Sequence, residues 1–149
     1  MPTPPDEPQP YPSPETPVAV VVGVDLLERG RLERSYARRG ERLLQRLFTP
    51  REIAEAHGQI ARLEGRFAAK EACAKALGVG IGRVASWQEI EIVRLPGGKP
   101  ALSLRGGAAA RARELGLAAF DVSISDTRDL VMAVVVGVRA LTPGPSPTG

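Results

Sequence analysis

Cysteine is nearly absent from this 149-residue chain, occurring once at Cys73, and histidine also occurs once, at His57. A single thiol closes no internal disulfide, which argues against a secreted fold stapled by bridges. Aromatic side chains are scarce as well: one Trp, two Tyr and three Phe leave the core to Val, Leu, Ile and Ala. Long apolar runs are missing. The longest, VAVVVGV (18–24) and LVMAVVVGV (130–138), fall far short of the roughly 18 residues a membrane span needs and read as buried strands. No basic stretch followed by an apolar one opens the chain, so the expected location is cytoplasmic, with no membrane partner.

What the chain has in excess is arginine and, at its ends, proline. The 20 Lys and Arg against 17 Asp and Glu give a net charge of +3. That balance favours anionic partners, with nucleic acid, acidic proteins and phosphorylated small molecules all allowed. Eight prolines fall within residues 1–17, and LTPGPSPTG ends the chain. Neither segment suits a helix or a central strand, so both are expected to be disordered tails flanking one domain, residues 18–140.

Within that domain, Val18–Val24 reads as a strand stopping at Asp25. DLLE then fits an N-cap Asp with Glu28 three residues on. Arg31, Arg34, Arg38 and Arg42 recur at helical spacing opposite Leu32, Tyr36, Leu43 and Leu47, provided that the helix survives Gly40. TPRE (49–52) opens a short helix with Thr49 as cap. Ala61–Leu77, rich in Ala, Leu, Glu and Lys, forms a longer one closed by Gly78. Two strands follow, WQEIEIVRL and PALSL, joined by PGGK. Then come a helix closed by Gly116 and a second hairpin built from FDVSIS and LVMAVVVGV. This order implies an α+β fold, helices packed on a small, mostly antiparallel sheet.

On the long helix Glu71 and Lys75 lie about 40° apart, so both can serve one site. The plain alternative is an exposed ion pair worth about 0.2–0.5 kcal/mol. Asp25 could join Glu71 in holding a hard cation, because Mg²⁺ takes one or two carboxylates plus waters and phosphates. Its plain alternative is a helix cap. GVGIG (78–82) follows a helix instead of preceding one, so it is no Walker-type loop, and its generic meaning is a cap and turn.

The segments VGVDLLERGRLE, FTPREI, LEGRFAAKEACAKALGVGIG, SWQEIEIVRLPGGKPAL and FDVSISD, in this order, resemble the holo-[acyl-carrier-protein] synthases. These are the small type of 4′-phosphopantetheinyl transferase, and the likeness covers about residues 19–138. The resemblance implies that Asp25 and Glu71 bind Mg²⁺ and that Lys75 lies near the pyrophosphate of coenzyme A. It implies a serine hydroxyl of an apo acyl carrier protein attacking the β-phosphate of coenzyme A. 4′-Phosphopantetheine is transferred and adenosine 3′,5′-bisphosphate released, with either Glu71 or a water on the metal taking the serine proton. Arg66 matches a position near coenzyme A, and Gly78, Gly80 and Gly82 fall in the substrate-side turn.

By the same resemblance Arg31 and Arg38 dock the acidic carrier, and the assembly is a homotrimer with sites between subunits. One departure stands out: where the family reads HVSLSH, this chain has Asp121 and Asp126. Asp121 could then be a third carboxylate near the metal, while His57 is expected at the surface. The rival function is a non-catalytic module that docks carriers or binds nucleic acid. Few aromatics and no nucleic-acid motif count against the nucleic-acid form.

Overall fold

The computed structural model describes residues 20–81 and 85–140, so the expected tails and Gly82 lie outside the described residues. The chain runs β1 (Val20–Glu28), α1 (Arg31–Arg39), α2 (Glu41–Leu47), α3 (Pro50–Ala56) and α4 (Ala61–Leu77). A 3₁₀ turn at Trp87–Glu89 leads into β2 (Ile90–Arg94), β3 (Pro100–Leu104), α5 (Gly106–Glu114), β4 (Leu117–Asp126) and β5 (Leu130–Arg139). The fold is α+β, and its strands pair antiparallel in two pieces, β1-β5-β4 and β2-β3, where a single sheet was expected.

Asp25 is not a helix cap. The first strand continues through Glu28, and α1 begins only after Gly30, which adopts the left-handed region (φ 84°). The reason lies in β5, which pairs with β1 along its whole length, from Val20 opposite Val138 to Glu28 opposite Leu130. Cross-strand pairing outweighs the local capping signal in DLLE. Gly40 likewise splits the arginine-rich segment: at φ 70° it ends α1 and starts α2. Trp87–Glu89 is also a turn, capped by Ser86, with the strand starting only at Ile90.

Alternation along β1 sends Val21, Gly23, Asp25 and Leu27 toward α4, and Val20, Val22, Val24 and Leu26 outward. α4 is the central element, and its Ala68, Ala69, Ala72 and Cys73 are fully buried against the sheet. Small residues let strand and helix approach closely. A Cβ on Gly23 would stand 1.8 Å from the Ala72 carbonyl oxygen, so only glycine fits at this crossing.

The other side of α4 is fastened by charge. Lys70, fully buried, pairs with the fully buried Glu52 at 2.6 Å. It also donates to the carbonyls of Leu47 (2.9 Å) and Trp87 (3.0 Å). Glu52 in turn accepts from the Ile92 and Thr49 amides, so one buried pair joins α2, α3, α4 and β2. Burial pushes the Lys70 amine down and the Glu52 charge holds it back up.

Candidate active site

Two residues beyond the Gly23 crossing, on the same face of β1, Asp25 meets the exposed end of α4. Lys75 Nζ donates to the Asp25 carboxylate at 3.1 Å and to the Val24 carbonyl at 3.0 Å. Glu71, one turn earlier on α4, is half-buried and lines the same cleft. The cleft holds about 360 Å³ between β1, α1, α2 and α4. Asp25, Glu71, Lys75 and Arg31 give it a charged end, while Leu27, Leu32, Leu43, Leu47 and Phe67 supply apolar wall.

Burial lifts the Glu71 carboxyl above its ordinary value, and the neighbouring Asp25 charge lifts it further. Lys75 and Arg31 pull it part of the way back. Among the described residues nothing donates a hydrogen bond to this carboxylate. Two converging carboxylates, one of them short of donors, suit an oxygen-seeking divalent cation. Among the described residues no three His, Cys, Asp or Glu side chains are placed to hold a metal ion together, so what one chain offers here is the pair Asp25 and Glu71.

The remaining sequence candidates sit elsewhere. Arg66 lies about 140° around α4 from Glu71 and is nearly buried. It donates to the Glu52 carbonyl (2.9 Å) and the Glu55 carboxylate (2.6 Å), while its Nε is buried with no partner among the described residues. It faces a second cavity of about 440 Å³ with Arg62, Arg94 and His57. His57 is exposed and ends α3 in the left-handed region, at φ 51°. Gly78 caps α4 at φ 65°, and Gly80 is exposed.

Asp121 is on β4, opposite Val136, on the outer face of the sheet; Asp25 is on the inner face. It pairs with Lys99 at 2.6 Å, and that contact holds its carboxyl below the usual range. Within one chain it does not join Asp25 and Glu71. Asp126 pairs with Arg29 at 2.6 Å.

Of the arginines on α1, Arg31 lines the cleft, and so does Arg39, two turns on, with Ser35 between them. Arg38 is exposed outside the lining. Arg39 and Phe67 escaped the sequence reading, although spacing carried both signals. Arg39 is i+8 from Arg31, and Phe67 precedes Glu71 and Lys75 at four-residue steps.

The geometry is that of a charged cleft with two carboxylates and an amine at one end, and comparison with known proteins gives the class of the chain. Residues 21–135 match the family model of the 4′-phosphopantetheinyl transferase superfamily. A holo-[acyl-carrier-protein] synthase of Sinorhizobium medicae is 45% identical over 132 residues, covering 84% of this chain and 94% of the relative. One from Moorella thermoacetica is 49% identical over 117 residues, covering 76% and 90%. Among solved structures, the Helicobacter pylori synthase in complex with coenzyme A aligns with a TM-score of 0.71 at 32% identity, covering 78% of this chain and 98% of that one. The Neisseria meningitidis synthase aligns at 0.73 and 34%, covering 80% and 98%. The chain therefore belongs to the phosphopantetheinyl transferases, and within them to the holo-[acyl-carrier-protein] synthase family of enzymes.

Proposed function

We propose that this chain transfers 4′-phosphopantetheine from coenzyme A to a serine of apo acyl carrier protein, with Mg²⁺ held between Asp25 and Glu71. The observation carrying this reading is that the two carboxylates and the Lys75 amine share one cleft, on a strand and a helix fastened together at Gly23. Held there by Asp25 and Glu71, the cation would offset charge on the phosphoryl oxygens. Lys75 is free to turn toward the same oxygens: 54% of its side chain is exposed, and among the described residues its amine is held only at Asp25 and the Val24 carbonyl. The serine oxygen bonds to the β-phosphorus as the bond from that phosphorus to the bridging oxygen breaks. Adenosine 3′,5′-bisphosphate leaves with the electron pair. The serine proton passes to a base, either Glu71 in the cleft or a water beside the cation.

Coenzyme A as donor rests on the family membership and on the coenzyme-bound Helicobacter relative. The carrier docks along α1, where Arg31 and Arg38 carry no ion pair among the described residues. A homotrimer is the proposed assembly. Val22, Val24 and Leu26 stand 64%, 51% and 59% exposed on the outer face of β1, with Met132 and Val138 of β5 beside them, an apolar stripe that calls for cover. A site shared between copies also accounts for the distance of Arg66 and Asp121 from the cleft. Arg66, Gly78 and Gly80 then serve the substrate from a neighbouring surface, with Gly82 proposed for the same role from the sequence alone, and Asp121 is the candidate third carboxylate.

Mass spectrometry of an apo carrier incubated with the protein, coenzyme A and Mg²⁺ tests the activity. The expected result is a gain of one phosphopantetheine, abolished by chelator and by Glu71→Gln. An unmodified carrier under saturating conditions overturns the reading.

A further inference from the structure

Glu64 is 1% exposed, yet among the described residues it has no cationic partner. Its carboxylate accepts from the Gly30 backbone amide at 2.6 Å. Gly30 is the N-cap of α1, adopts φ 84° and brings no side chain of its own to the cap. The first turn of α1 is therefore held by a carboxylate 34 residues away, on α4. A negative group suits a helix N-terminus, where backbone N–H groups lack intrahelical partners. Burying one is costly without good donors, so this contact demands a defined geometry.

That geometry reaches the cleft. Glu64 and Glu71 are seven residues apart on α4, about 20° from the same face and roughly 10 Å along the axis. Arg31 directly follows Gly30 and lines the cleft, where its charge acts on Glu71. Chain reversal from β1 into α1 thus happens across the α4 face carrying Glu64, and the first arginine of α1 emerges beside Glu71. Arg29 steadies the approach, its amide donating to the Asp129 carbonyl at 2.9 Å.

We infer that Glu64 is a positioning residue: it anchors the start of α1 so that Arg31, Ser35 and Arg39 face the cleft in the register that receives the carrier. This rests on the carrier-modifying reading above. It makes Glu64 matter most for the protein substrate, whose docking depends on α1, and much less for the nucleotide substrate and the metal, whose Asp25, Glu71 and Lys75 stand on β1 and α4.

Steady-state kinetics of the full chain separate these. Glu64→Ala and Glu64→Asp, the latter keeping the charge but withdrawing it by one methylene, should raise KM for the carrier about tenfold, the loss of one charged hydrogen bond. KM for coenzyme A and the Mg²⁺ midpoint should stay within about twofold. Glu64→Gln keeps the acceptor oxygen and should restore the carrier KM. Equal rises in both KM values, or an unchanged carrier KM in an active Glu64→Asp, overturn the inference. If Glu64→Ala does not fold, the Asp and Gln pair decides alone. A wild type that leaves the carrier unmodified defeats the parent reading instead.

Discussion

Glu71 is held half-buried beside a second carboxylate, and that placement costs the folded chain stability in exchange for a site. Its folded pKa stands above the ordinary 4.5 of an unfolded chain, raised by burial and by Asp25. The fold thus prefers the protonated form. This contribution is fully present below the unfolded value and lost as pH rises through the folded one. Glu71→Gln should therefore melt higher than wild type at pH 7 in chelator. The advantage should shrink as both are acidified toward pH 4, in calorimetric scans across that range. At this scale the sequence was readable wherever residue type and spacing coincide: Glu71 and Lys75 share a face because four residues span about 400° of turn. Arg39 was legible from its spacing to Arg31, but Glu64 was not. Its role comes from what α1 and α4 present to each other, and no local pattern encodes a contact across 34 residues.

Among the elements, α4 decides the most, since the sheet packs on one side of it and Lys70 ties α2, α3 and β2 to the other. Removing one member of a buried pair leaves the other charged and unmatched. Lys70→Ala should cost about 3–5 kcal/mol in urea unfolding. The double variant with Glu52→Leu should cost less than the two single changes summed. Strictly additive losses would show that the pair is not coupled. Element existence was largely legible: α3, α4, α5 and both hairpins follow capping, glycine and alternation signals in the chain. The main misreading has a long-range cause. DLLE has the pattern of a helix start, but the nine-residue ladder with β5 extends β1 through it. Nothing within four residues announces a partner strand more than a hundred residues on.

For the whole molecule, the open question of cover falls on the outer sheet face. If that face joins copies, sedimentation equilibrium of the wild type should give three chains, and Val24→Lys should shift it toward one chain, with activity falling in parallel. A wild type sedimenting as a single chain would refute the assembly. The same ribbon carries a further consequence. Gly23 and Asp25 look one way and Val22, Val24 and Leu26 the other, because neighbouring residues of a strand point to opposite sides. Slipping β1 by a single position would exchange the two sets, turning the acid toward the stripe and valine toward α4. The acid and the apolar stripe are thus obverse and reverse of one nine-residue coin, and mutation cannot shift the phase of either without shifting the other.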